Sequence, residues 1–304
     1  MRMSQAADDD GGHAEPDLTA RIARALERNN DLLAEQVEIS RKLLWELQTN
    51  RRTQDVLRLL ATSAQLDDVQ AFAQSRQLGF METVEALRAE GLGFARFGDG
   101  EFRLMLRAEY KLKFQPNSAE LAAELAAVLS GTAVSRNMLV GFPHVYRDVH
   151  WSGVWSDIWG QLKPMVDGIP RVGNSHVTRP IFFQLTGDRG VAAWRSVWEG
   201  RHVTVVTGKG SRFDLTPALF DNLASVDFEY STPVDAFADV TRLVDALRSR
   251  TSDLVLIALG PAGTVLAARL ASAGVRAIDV GHISDSYENV FRGGAWPEEK
   301  KVVV

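Results

Sequence analysis

Leu254-Val255-Leu256-Ile257-Ala258-Leu259-Gly260-Pro261-Ala262-Gly263-Thr264-Val265 is the stretch from which the chain is best read. Its apolar character persists to Val275, which makes it the most membrane-like part of the sequence. A Gly-Pro pair in its middle and Arg269 further on argue against a span through lipid. They suit a buried strand, Leu254 to Leu259, that turns into a helix from Gly263 to Ala273, with Pro261 fitted to the first helical turn. No other segment needs lipid.

Outward from this unit the same alternation repeats. Towards the C-terminus, Arg276 to Val280 reads as a last strand. Upstream lie a helix over Ala236 to Leu247, a strand over Val226 to Tyr230 and a β-branched strand over His202 to Val206 that ends at Gly208. Further back, Met138 to Phe142 reads as a strand and is followed by a Trp-rich helical region with Trp151, Trp155 and Trp159. Ser118 to Leu129 is a helix with Ser118 as N-cap. Phe94 to Phe97 is a strand preceded by a helix, Met81 to Glu90, that Gly91 and Gly93 stop. Strands separated by helices of this length imply parallel pairing through right-handed crossovers. The expectation is a doubly wound α/β sheet with helices on both faces and its ligands at the carboxyl ends of the strands.

The chain of 304 residues is long enough for one large domain or two modest ones, and its 45% hydrophobic and 24% charged content is that of a globular protein. A net charge of −5 argues against extensive nonspecific nucleic-acid binding. The absence of cysteine excludes disulfides, zinc–thiolate sites and a thiol nucleophile, and fits a reducing, cytoplasmic setting. Three regions are expected. Residues 1–16 are an acidic, small-residue tail without the features of a secretion signal and read as disordered. Residues 17–77 are helical. Leu26, Leu33, Ser40 and Leu47 fall on one set of seven-residue steps, and Asn30, Val37, Leu44 and Arg51 on the interleaved set. That spacing suggests a parallel homodimeric coiled coil with Asn30 setting register, or else one amphipathic helix packed on the main domain. Residues 78–304 carry the α/β domain.

Chemistry-bearing residues cluster where those strands end. In Arg96-Phe97-Gly98-Asp99-Gly100-Glu101 two carboxylates flank a glycine, in a pattern that suits Mg²⁺ or Mn²⁺ completed by a ligand's phosphates. The alternative for this run is a solvated turn. Thr207-Gly208-Lys209-Gly210-Ser211-Arg212 offers glycines and cations for a phosphate but lacks P-loop spacing. Gly260-Pro261 opens a helix whose unpaired N–H groups can meet a phosphate or sugar hydroxyl, Arg179 is a candidate phosphate partner, and His282 follows the last strand. Each of these loops also has an ordinary reading as a βα turn or a surface residue.

Taken in order, Arg96 to Glu101, Thr178-Arg179-Pro180, the strand leading to Gly260-Pro261-Ala262-Gly263-Thr264, and Asp279-Val280-Gly281-His282 with Tyr287-Glu288 resemble the GT-D type glycosyltransferases, a family once catalogued as a domain of unknown function. The resemblance covers about Leu78 to Phe291. It implies a Rossmann-like, metal-dependent enzyme that moves a hexose from a UDP-sugar to a hydroxyl of a glycan or glycoprotein. Its Asp-x-Glu motif maps onto Asp99 and Glu101 as ligands of manganese or magnesium, and its glycine-histidine block maps onto Gly281 and His282, at the metal–diphosphate centre or beside the acceptor. Arg96, Gly98, Arg179, Gly208, Lys209, Arg212, Gly260, Pro261 and Thr264 are then the candidates for holding the donor. Asp99, Glu101, His282 and Glu288 are the catalytic candidates, and Asp99, Glu101 and His282 the metal candidates. Two departures stand out. The Gly260 loop has one hydroxyl fewer than is common in the family, and the segment after His282 keeps Tyr287 and Glu288 but lacks the family's first Glu and its Trp. A noncatalytic nucleotide-sugar sensor with a coiled-coil output is the rival reading. A dinucleotide-dependent oxidoreductase is disfavoured by the lack of G-x-G-x-x-G after the first strand.

Overall fold

A computed structural model describes residues 18–130, 137–146, 148–211 and 213–299. The expected tail at 1–16 lies outside the described residues. The chain divides into two compact units, residues 1–60 and 61–304. In the first, helix α1 (Leu18–Ala61) runs unbroken for 44 residues and buries none of them. Leu26, Leu33, Val37, Leu44 and Leu47 are each at least half exposed.

The second unit begins earlier than the break expected at residue 77. Helix α2 (Ser63–Arg76) belongs to it because Leu66 and Val69 enter the core, and Asp68 accepts from Trp159 Nε1 at 2.8 Å and pairs with Lys163 at 2.7 Å. Then follow α3 (Phe80–Ala89), β1 (Gly93–Arg96), α4 (Asp99–Leu106), α5 (Ala119–Leu129), β2 (Met138–Phe142), α6 (Val149–Val166) and β3 (Gly173–Asn174). After a 3-10 turn at Ser175–Thr178 come α7 (Pro180–Thr186), α8 (Asp188–Trp198), β4 (His202–Gly208), α9 (Pro217–Phe220) and β5 (Ser225–Ser231). The unit closes with α10 (Val240–Arg248), β6 (Leu254–Ala258), α11 (Pro261–Ser272), β7 (Ala277–Asp279) and α12 (Ile283–Arg292).

The strands form a seven-stranded sheet in the order β3-β2-β1-β7-β6-β4-β5, with every pairing parallel. Successive strand residues point to opposite faces, so Phe94 joins a core with α3, α7 and α8 while Ala95 joins one with α5, α6 and α11. Helices therefore cover both faces, as the alternation of apolar strands and helices implies. The helix after β6 starts at Pro261, two residues before the expected Gly263, because a proline at the first helical position loses no hydrogen bond. No described helix is long and apolar enough to cross a membrane.

Candidate active site

The carboxyl ends of the strands open onto a cavity of about 360 Å³. Arg96, the last residue of β1, lines it. Its Nη1 donates to Thr178 Oγ1 at 2.6 Å and its Nη2 to Asp279 Oδ1 at 3.1 Å. One guanidinium thus joins β1 to the end of β7 and to the turn after β3. Burial pushes the Asp279 carboxyl up, and Arg96 and the Gly281 N–H oppose the rise. Gly281 has φ +46°, and a Cβ there would lie 1.9 Å from Arg96 Nη2, so the approach requires glycine.

The acidic pair sits on helix rather than on an open turn. Gly98 is the N-cap of α4, with Asp99 and Glu101 its first and third residues. Glu101 folds back so that Oε2 accepts the Gly98 N–H at 2.8 Å, closing the helix start. Burial pushes Glu101 up to about 7, while hydrogen bonds from the local backbone pull it down. Asp99 is more open, 37% exposed, with Arg103 3.5 Å away. Among the described residues, no three His, Cys, Asp or Glu side chains gather into a metal cage. Two hard oxygen donors in one cavity nevertheless fit Mg²⁺ or Mn²⁺, which commonly keep waters and draw further ligands from substrate phosphates.

Cations and helix starts supply the rest of the anionic chemistry. Burial pushes the Arg179 guanidinium down to about 10, helped by Arg96, while Asp99 and Glu101 pull it back up. Arg179 is ion-paired with Glu298 of the C-terminal segment, which also lines the cavity. On the other side, Gly260 at φ +58° lets Phe114 pack over it, since a Cβ would come within 2.9 Å of the ring, and Pro261 begins α11. The chain leaves β4 outward to β5 and leaves β6 inward to β7, so the crevice between β4 and β6 is the switch point where α/β sheets bind ligands.

Of the residues singled out from sequence, Arg96, Gly98, Asp99, Glu101, Arg179, Gly260, Pro261 and His282 line this cavity together. His282 is the residue preceding α12, with Nδ1 3.8 Å from Asp285 Oδ2. Four others lie outside it. Gly208 packs beside Pro233 and the Lys209 N–H donates to Ser231 O at 2.9 Å, which draws that loop towards β5 and leaves Ser211 and Phe213 at the cavity. Thr264 is fully buried and donates to the Arg96 carbonyl at 2.7 Å, so its hydroxyl fixes the end of β1 rather than a ligand. Glu288 accepts from Thr216 Oγ1 at 3.4 Å and pairs with Arg292 at 3.1 Å along α12. Arg212 lies outside the described residues.

The sequence reading missed several lining residues. Phe114 comes from a loop with no local signal. Trp151 belongs to a Trp-rich helix whose Trp155 and Trp159 are buried, whereas Trp151 lines the cavity. The polar run around Arg179, Asn174 to Pro180, reads from sequence as able to line a pocket, and its Ser175 and His176 do so.

The chain and its fold have counterparts among known proteins. The chain is 24% identical over 287 residues, 86% of its length, to "Glycosyltransferase GlyD" of Streptococcus pneumoniae serotype 4, and 25% identical over 230 residues to "Probable glycosyl transferase Gly" of Streptococcus gordonii. It spans only about a third of the length of these curated relatives, 35% and 33%. Among solved structures, a domain of unknown function 1792 described as having a distinct glycosyltransferase fold superposes with TM-score 0.65 at 22% identity, covering 77% of this chain and 87% of that one. A Streptococcus sanguinis protein of the same family, described as a new glycosyltransferase, gives TM-score 0.61 at 24% identity, covering 72% of this chain and 85% of that one. The glycosyltransferase GT-D fold family matches residues 94–302, from the strand that carries Arg96 through the whole cavity, and the chain belongs to that family.

Proposed function

We propose that this protein transfers a hexose from a UDP-sugar to a hydroxyl of a glycan or glycoprotein, assisted by Mn²⁺ or Mg²⁺. The observation that carries this reading is the convergence of Asp99, Glu101, Arg179 and His282 on one cavity at the carboxyl edge of the sheet. The nucleotide fits the crevice between β4 and β6, where Phe114 and the start of α11 form a wall. Asp99 and Glu101 would hold the metal, which when bound supplies Lewis-acid stabilisation to the departing diphosphate. Arg179 adds charge-assisted hydrogen bonds to the same oxygens once it exchanges Glu298 for them. His282, beside Asp285, faces the cavity as a hydrogen-bonding partner for the diphosphate or the acceptor. Glu288 is less suited to act as base because it lies away from the cavity lining. The exposed apolar stripe of α1 supports a homodimer as the working assembly.

UDP release from a panel of UDP-sugars, with and without Mn²⁺, tests the activity. Asp99→Asn and Glu101→Gln are expected to lower metal-dependent turnover by about 100-fold or more with unchanged circular dichroism. Normal turnover by both variants would remove the metal assignment, and no turnover of any donor by the unmodified chain would remove the activity.

A further inference from the structure

One wall of the cavity differs chemically from the rest. The carboxylates and Arg96 gather at β1, with Gly281 and His282 following β7. Over β2 and β3 stand Trp151, Ser175 and His176. Trp151 is half-buried, its ring 5.9 Å from that of Trp155 and 5.7 Å from that of His176, so neighbouring aromatics brace the indole. Ser175 is only 3% exposed, yet its hydroxyl has no hydrogen-bond partner among the described residues. A buried hydroxyl in that state is costly unless a ligand or water meets it. The His176 backbone N–H donates to Asn174 Oδ1 at 3.0 Å, and the Tyr146 hydroxyl lies 3.1 Å from its Nδ1. Burial, reinforced by Arg179, holds the His176 imidazole neutral, and burial pushes the Tyr146 phenol up to about 12.

The wall therefore offers an aromatic surface, a hydroxyl and a neutral imidazole. A diphosphate gains little from those groups. A sugar ring presents one apolar C–H face and a rim of hydroxyls, which match an indole and short polar donors and acceptors. We propose that Trp151, Ser175 and His176 form the subsite that receives the acceptor sugar, with Tyr146 as a positioning residue that sets the His176 ring. The term acceptor rests on the transferase reading above, whereas the sugar subsite is measurable apart from it.

The test uses the full chain and two readouts. Saturation-transfer NMR with the para-nitrophenyl β-glycosides of glucose, galactose and N-acetylglucosamine reports the subsite, and calorimetric titration with UDP and Mn²⁺ reports the donor side. At least one glycoside should bind. Trp151→Ala should raise its Kd about tenfold or more and Ser175→Ala about threefold, with the Kd for UDP within about twofold of the original. Trp151→Phe should restore most of the glycoside binding. Tyr146→Phe should weaken it and alter the tautomer signature in the His176 ring nitrogen shifts. The proposal is overturned if no glycoside binds, if Trp151→Ala binds glycoside normally, or if UDP and glycoside binding fall together in Trp151→Phe and Ser175→Ala. If UDP fails to bind the unmodified chain while the glycoside responds to Trp151, the donor reading falls and the sugar subsite stands.

Discussion

A methyl group at position 281 would have to displace a guanidinium that Thr178 and Asp279 hold. It would occupy the space of the Arg96 guanidinium, and the left-handed backbone there already disfavours a side chain. Gly281→Ala is therefore expected to cost roughly 2–4 kcal/mol in denaturant unfolding and to abolish turnover. Near-normal values of both would contradict the packing. Glu101 makes a different prediction. In the folded chain its carboxyl titrates at about 7 instead of 4.5, so the folded state holds a proton that the unfolded chain has released. Stability should fall as pH rises through that window. Glu101→Gln keeps the cap at Gly98 and should raise Tm by about 2–4 °C at pH near 8 in chelator, with little change near pH 4. An equal Tm for both chains at the higher pH would show that the carboxyl is not desolvated. The acidic pair was legible in sequence because its signal is local: two acids around a glycine after a strand. Thr264 was misread because its partner, the Arg96 carbonyl, comes from another strand. The Arg96–Asp279 pair spans 183 residues, and no local pattern announces it.

The loop between α4 and α5 shows how an element without a sequence signature is held in place. Gln115 is buried, its amide donates to Asp235 Oδ1 at 2.8 Å, and its Oε1 accepts the Phe237 N–H at 3.2 Å. Asp235 is the only described non-glycine residue with positive φ, at 54°, and its N–H donates to the Phe114 carbonyl at 2.9 Å. This anchor holds Phe114 against Gly260 at the cavity wall. Gln115→Leu conserves bulk but leaves a carboxylate and an N–H unpaired, so it should cost about 1–3 kcal/mol and weaken UDP binding several-fold. Unchanged UDP affinity would mean that the loop does not shape the donor side. Strands β4 and β6 were readable because they are continuous β-branched or apolar runs bounded by glycine. Two-residue β3 is too short to carry a pattern, and α4 was hidden because Gly98-Asp99-Gly100 has the composition of a turn.

At the scale of the whole molecule, the 44-residue α1 would be ~66 Å long, and it leaves exposed the kind of apolar face whose packing supplies most helical stability in proteins. Pairing of Leu26, Leu33, Val37, Leu44 and Leu47 with the same stripe of a second copy, with Asn30 facing Asn30, would cover it. Sedimentation at micromolar concentration should report a dimer for the full chain and a monomer after removal of residues 1–54, with UDP binding retained. A monomeric full chain would end the coiled-coil reading. Within the α/β unit, the way Arg96 is held has a consequence for motion. Because one side chain fastens the ends of β1 and β7 and the turn after β3, those strands cannot splay to admit a substrate. Access is left to the rim, to the segments carrying Phe213 and Glu298. In native-state hydrogen exchange the amides of Phe94, Ala95 and Ile278 should open only with global unfolding, while those rim segments exchange through smaller openings that UDP and Mn²⁺ suppress. Faster exchange at β1 than at the rim would show that the sheet itself is the gate.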